Sequence, residues 1–160
     1  IPTPGTALVY AGMVLIEGTN LSEGRGTALP FRLVGAPWVD ADLLASELNA
    51  LRLPGCIFRP AAFIPTASKH QGESCAGVQV HITDWKAYRS VTAAVALIQA
   101  VRRLHPEKLQ FQNEAFDRLA GTSALREAIE AEVPLEKIVE GWRAPVEAYL
   151  TRREPFLLYE

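Results

Sequence analysis

The sequence is poor in the residues that build metal and redox centres. It holds two cysteines, Cys56 and Cys75, and three histidines, at positions 70, 81 and 105. No CxxC pair occurs and the histidines are scattered, so no zinc-type ligand spacing exists and nothing in the chain calls for a metal or another cofactor. The cysteines could be bridged in an oxidising compartment, but two buried thiols are the simpler expectation. Sixteen Lys and Arg face eighteen Asp and Glu, a net charge of −2. A nucleic-acid-binding domain usually carries a basic excess, so that partner is disfavoured. No apolar run approaches the ~20 residues of a membrane span, and no signal-peptide pattern is visible. The chain opens at Ile1 rather than Met, with Pro2 and Pro4 close behind. That start reads as a linker and leads to the expectation of a longer protein, so the lack of a targeting segment says little about compartment.

What is present fits a single domain over residues 1–160, long enough to bury a core. Residues 8–16 form an almost unbroken apolar run interrupted by Gly12, which suits a strand buried on both faces. A short strand is expected over residues 31–34, stopped by Pro37. Asp40 can cap a helix carrying Leu44, Leu48 and Leu51 on one stripe, ended by Pro54 and Gly55. Residues 56–58 read as a strand that Pro60 limits to an edge or an early stop. Val78, Val80 and Ile82 alternate with Gln79, His81 and Thr83, the clearest strand signal in the chain. Asp84 is the expected cap of a helix to about Leu104, with Val91, Val95, Ile98 and Val101 on its buried face. From residue 113 the pattern turns to short helices, with Gly121 between the first two and Pro134 in the first turn of the last. The stripe of Leu135, Ile138, Val139, Trp142, Val146, Tyr149 and Leu150 contains Pro145, so a kink or break is expected nearby. The order predicts an α+β fold: a mixed β-sheet packed with helices, followed by a helical C-terminal tail.

Residues 17–27 bring together Glu17, Glu23, Arg25, Asn20, three hydroxyls and three glycines directly after the apolar run. Glycines let main-chain N–H groups approach a ligand. Thr19 and Asn20 can donate to sugar hydroxyls, and Arg25 can grip a carboxylate with two parallel hydrogen bonds. Glu17 lies nearest the apolar run, a place that suits a carboxyl for general-acid work. A Gly-rich polar segment of this kind can equally be a plain turn. Neither a P-loop nor a dinucleotide fingerprint matches, because Gly18, Gly24 and Gly26 have the wrong spacing. Lys69 and His70, in a polar loop over residues 65–76, could supply a cation for an anionic substrate or simply be exposed. His81 either lines a cleft or is solvated. Trp38 and Trp85 could stack on a sugar, although packing is the simpler role. Trp142 reads as core, and His105 as a favourable charge at a helix end.

The run Val14-Leu15-Ile16-Glu17-Gly18-Thr19-Asn20-Leu21-Ser22-Glu23-Gly24-Arg25-Gly26-Thr27 resembles the exo-β-N-acetylmuramidase family, formerly a domain of unknown function, DUF1343. The stretch from Pro30 and Phe31 to Pro37 and Trp38, the Phe58-Arg59-Pro60 motif, Lys69-His70 with Cys75 and Gly77, and the closing Phe156-Leu157-Leu158-Tyr159 carry the same resemblance. It implies the C-terminal half of a two-domain glycosidase whose N-terminal Rossmann-like half is absent and whose cleft lies between the halves. The implied activity is hydrolytic release of N-acetylmuramic acid from the non-reducing end of peptidoglycan fragments. Glu17 and Glu23 become the candidates for acid–base or water-positioning work. Thr19, Asn20, Arg25, Lys69 and His70 become candidates for substrate binding, with Arg25 set against the lactyl carboxylate of muramic acid. Essential groups are expected in the absent half, so the chain alone is not expected to turn over. A wall-active enzyme implies the bacterial envelope or the outside; a recycling enzyme would be cytoplasmic. The rival readings are a non-catalytic carbohydrate-binding or auxiliary domain and a protein-interaction domain.

Overall fold

In the computed structural model, which describes residues 1–159, the chain enters a helix almost at once. Thr3 is extended (φ −141°, ψ 158°), its hydroxyl accepts from the Thr6 N–H at 3.1 Å, and Pro4 takes the first helical position. Helix α1 (Pro4–Met13) and a 3-10 turn (Val14–Gly18) therefore replace the strand expected over residues 8–16. A continuous apolar run does not separate strand from helix by periodicity. Burial does: Val9, Gly12, Met13 and Ile16 are buried at i, i+3, i+4 and i+7, while Leu8 is exposed. The Thr cap with Pro behind it is a helix-start signal that the linker reading passed over.

Three strands follow: β1 (Leu33–Ala36), β2 (Cys56–Phe63) and β3 (Cys75–Ile82). They lie in the order β1-β3-β2 with both pairings antiparallel. The α+β class stands, but the sheet is antiparallel throughout rather than mixed. With residues 8–16 helical, the sheet consists of a long-looped hairpin (β2 and β3) with β1 on its other edge. Pro60 does not end β2, because β2 is an edge strand and tolerates the missing donor. Val78 and Val80 turn into the core, as their alternation predicts.

Helix α2 (Ala41–Ala50) starts as expected, with Asp40 Oδ1 accepting from the Leu43 N–H at 3.0 Å and with Leu44 and Leu48 buried. Leu51 sits beyond its last turn and is exposed. Helix α3 (Ser90–Leu104) begins later than expected, because Asp84 caps a separate turn, accepting from the Lys86 N–H at 2.9 Å. Residues 93–101 of α3 are buried on every side, packed by α1, α2, α5 and α6; Val91 lies outside that span and is exposed. Small residues there (Ala93, Ala94, Ala96, Ala100) let neighbours come close.

The C-terminal part is α4 (Asn113–Ala120), α5 (Ala124–Glu130), α6 (Leu135–Gly141), α7 (Arg143–Arg153) and a 3-10 turn (Glu154–Phe156). Gly121 closes α4 in the left-handed region, and Pro134 caps α6. The break expected near Pro145 falls at Gly141, four residues upstream, where a continuing helix would place the carbonyl that a proline ring strikes. Trp142 packs half-buried against the core. Cys56 and Cys75 are free, buried thiols at opposite ends of the β2–β3 ladder, and burial pushes Cys56 up to about 11. Among the described residues, no helix is long and apolar enough to cross a membrane.

Gly12 sets how closely α1 meets α3. Its N–H donates to Ser90 Oγ at 2.8 Å, and that hydroxyl donates to the Val9 carbonyl at 2.8 Å. A Cβ on Gly12 would lie 2.1 Å from the Ser90 carbonyl oxygen. Gly12→Ala adds a better helix former, worth roughly 1 kcal/mol, yet forces overpacking that costs ~1–3 kcal/mol. Urea unfolding is expected to show a net loss of stability; a higher midpoint would mean that α1 moves freely on α3.

Candidate functional site

The segment over residues 17–27 is held from three directions. Ser22 exchanges two main-chain hydrogen bonds with Gly35 of β1, at 2.8 and 3.1 Å. Asn20 faces the strand-like stretch after α3: its N–H donates to the Gln110 carbonyl (3.0 Å), its amide donates to the Lys108 carbonyl (2.8 Å), and its side-chain oxygen accepts from the Gln110 N–H (3.0 Å). On the third side the β2–β3 loop closes in, with Thr66 Oγ1 donating to the Gly26 carbonyl at 2.7 Å. Gly26 has φ +76°, and a Cβ there would meet the Ala67 nitrogen at 2.4 Å. A side chain at this position would therefore be strained and would push the two loops apart.

Four charged groups gather where the loops meet. The Glu23 carboxylate is buried, 2% exposed. Its Oε1 lies 3.1 Å from Arg25 Nε and accepts from Ser68 Oγ at 3.3 Å, and its Oε2 lies 3.0 Å from Lys69 Nζ without an aligned hydrogen bond. Lys69 Nζ also donates to the Ile16 and Thr19 carbonyls, each at 2.9 Å. The ammonium thus caps the carbonyl end of the 3-10 turn that carries Glu17. Burial lowers Lys69 below the usual ammonium range, and the Glu23 charge opposes that shift. Arg25 donates from Nε to Glu17 Oε1 at 3.1 Å and pairs with the same oxygen through Nη2. The hydrogen bond to Glu17 raises Arg25 above its already high value; desolvation opposes it, and the Glu17 and Glu23 charges add to the rise. The Arg25 guanidinium stands 5.0 Å over the Phe31 ring, which meets Tyr10 edge-on at 4.8 Å. Ser68 (φ 68°), His70 (φ 57°) and Phe31 (φ 64°) sit in the left-handed region although none is glycine. Such backbone persists where surrounding contacts over-determine it.

The family model described as exo-β-N-acetylmuramidase NamZ, C-terminal, matches residues 8–159. The chain belongs to this family. The peptidoglycan β-N-acetylmuramidase NamZ of Bacillus subtilis is 41% identical over 160 residues, covering 99% of this chain and 39% of that protein. The chain thus spans well under half the length of the curated relative it matches. Two crystal structures of DUF1343 family proteins from Bacteroides fragilis are similar. One has a TM-score of 0.91 at 30% identity, covering 100% of this chain and 44% of that one. The other has a TM-score of 0.75 at 26% identity, covering 99% and 42%.

Within this NamZ C-terminal domain, Glu17, Glu23, Arg25 and Lys69 come together as one cluster. Their exposure is graded, from Arg25 (46%) through Glu17 (28%) and Lys69 (21%) to Glu23 (2%). Desolvation therefore falls on Glu23, not on the Glu17 expected from its place beside the apolar run. Thr19 is buried, its hydroxyl donating to the Ile16 carbonyl (2.8 Å) and accepting from the Leu21 N–H (3.1 Å). Asn20 is spent on residues 108 and 110 as described. His70 is partly buried beside the cluster, with Nε2 2.8 Å from the Asn20 carbonyl and Nδ1 3.6 Å from Glu73. His81 lies on the sheet beside Arg59, its Nε2 shielded and without a hydrogen-bond partner; burial, then Arg59 and Arg32, lower its pKa. Trp38 packs edge-on against His105 at 5.5 Å, and Trp85 is exposed under Lys86. Tyr10, Phe31 and Ser68 were not legible as neighbours of Arg25 and Glu23. The contacts of Tyr10 with Phe31 and of Ser68 with Glu23 join segments distant in sequence, and the positive φ of Phe31 and Ser68 has no composition signal. Among the described residues, no cluster of three or more His, Cys, Asp or Glu could hold a metal ion.

Lys69→Met would leave Glu23 buried without its ammonium and uncap the Ile16 and Thr19 carbonyls. Breaking one side of a buried pair costs ~3–5 kcal/mol. Arg25→Ala removes a half-exposed partner and should cost about 1 kcal/mol or less. Chemical denaturation of both variants tests the ranking, and a Lys69→Met loss no larger than that of Arg25→Ala would contradict it.

Proposed function

We propose that this domain forms one wall of the cleft of an exo-acting glycoside hydrolase that releases N-acetylmuramic acid from the non-reducing end of peptidoglycan fragments. Membership of the NamZ family and the 41% identity to a peptidoglycan β-N-acetylmuramidase support the reaction class. The observation that carries the reading is one charge cluster in which Arg25 and Glu17 reach the surface, Glu23 is buried, and Lys69 is tied to main-chain carbonyls. A group that meets substrate must be reachable, and one that holds a turn in place does better buried. In this reading the roles divide accordingly. Glu17 contributes acid–base or water-positioning chemistry at the domain surface. Arg25 binds the lactyl carboxylate: among the described residues its Nη1 meets no acceptor, while Nε and Nη2 are held by Glu17, so the guanidinium is oriented before ligand arrives. Glu23 and Lys69 act as positioning residues, and so does Asn20. The remaining catalytic groups lie outside this domain, in the part of the polypeptide that corresponds to the unmatched length of the Bacillus subtilis relative, of which this chain covers 39%.

Steady-state kinetics of the intact polypeptide on a chromogenic β-N-acetylmuramide test this division. Glu17→Gln is expected to lower kcat by about a hundredfold or more. Arg25→Ala should raise KM for muramic substrates while sparing glucosaminide analogues. An unchanged kcat in Glu17→Gln would make the domain auxiliary, a carbohydrate-binding wall without a catalytic group. Equal losses on both sugars would remove the lactyl role from Arg25.

A further inference from the structure

The apolar stripe that begins in α6 does not end with the core. In α6, Ile138 is buried and Leu135 packs against the core, as does Trp142 just after it. The same helical spacing continues through Val146, Tyr149 and Leu150 in α7, yet no residue of α7 is buried. Those three side chains are between 44% and 53% exposed, and Phe156, Leu157 and Tyr159 behind them between 52% and 87%. The packing partners of α7 are chiefly α6 and the terminal 3-10 turn, its own neighbours along the chain. Isolated helices shorter than ~12–15 residues are marginal in water, and α7 has 11 residues. A group of exposed apolar side chains gathered at one end of a domain marks an interaction surface.

We propose that the apolar face of α7 and the terminal turn docks against the remaining portion of the intact polypeptide, the region that precedes the C-terminal domain in NamZ-type proteins. Two observations select this occupant over a second copy. The Bacteroides fragilis structure with a TM-score of 0.91 aligns with 100% of this chain, tail included, and that matched part is 44% of a longer chain. The tail geometry thus recurs in a protein that has a further body of chain. In addition, α7 lacks the packing to hold itself, so its cover must be available at every protein concentration. A covalently linked domain meets that need, at an effective concentration of the order of millimolar. The inference rests on the chain being part of a longer protein and stands apart from the roles of Glu17 and Arg25.

Photo-crosslinking of the intact polypeptide tests the proposal. Benzoylphenylalanine is placed at Tyr149, at Phe156 and, as a control, at Leu43, which is 46% exposed on α2. Positions 149 and 156 are expected to give crosslinks within one chain, to peptides that precede residue 1, and position 43 none. Crosslinks between two copies, seen as a doubled mass, would overturn the proposal, and so would folded variants that give no crosslink from 149 or 156. Hydrogen exchange supplies a second readout. Tyr149→Asp in the intact protein should speed amide exchange over residues 143–153 by at least about tenfold and leave residues 93–101 unchanged. Unaltered exchange in α7 would count against docking.

Discussion

One lysine ammonium, lodged between two main-chain carbonyls and a buried carboxylate, ties the site together. Lys69 comes from the β2–β3 loop, and the groups it meets, Ile16, Thr19 and Glu23, come from the first fifth of the chain. Taking an ammonium and a carboxylate out of water is costly unless each is met by partners. Here both are met: Glu23 by Lys69, Arg25 and Ser68, and Lys69 by Glu23 and the carbonyl end of the 3-10 turn. The left-handed backbone at Ser68 and His70, on either side of Lys69, fits a loop whose shape is imposed by what its lysine must reach.

The rest of the fold delivers these segments to one another. The β2–β3 ladder brings the loop between its strands to the end of the sheet where β1 runs, and Ser22 pairs with Gly35 on the free edge of β1. Helix α1 presses on the first turn of α3 through Gly12, which fixes where the following 3-10 turn, and hence Glu17, emerges. The stretch after α3 then meets Asn20 from the far side. Those three supports fix the loop that carries Glu17 and Arg25.

Legibility in the sequence followed the range of the interactions. The β3 strand, the Asp40 cap, the Gly121 stop and the break ahead of Pro145 were readable because each depends on residues within a few positions of one another. The helix at residues 4–13 was also locally encoded, by Thr3 and Pro4, but the unbroken apolar run masked it. The late start of α3 was not readable, since Asp84 is a sound cap that serves a different turn. The stripe of α7 shows the reverse case: its spacing continues that of α6, yet no residue of α7 is buried within this domain.

The sequence by itself determined the α+β class, the family membership carried by residues 14–27, and the clustering of charge in that segment, because composition, capping and motif order are properties of neighbouring residues. Only the tertiary structure decided that the sheet is wholly antiparallel, that Glu23 rather than Glu17 is the desolvated carboxylate, and that Lys69 and Asn20 serve as clamps. The physical reason is that burial and ion pairing depend on which distant segments meet, and a charge acquires its role from the solvent it loses and the partner it gains when they do.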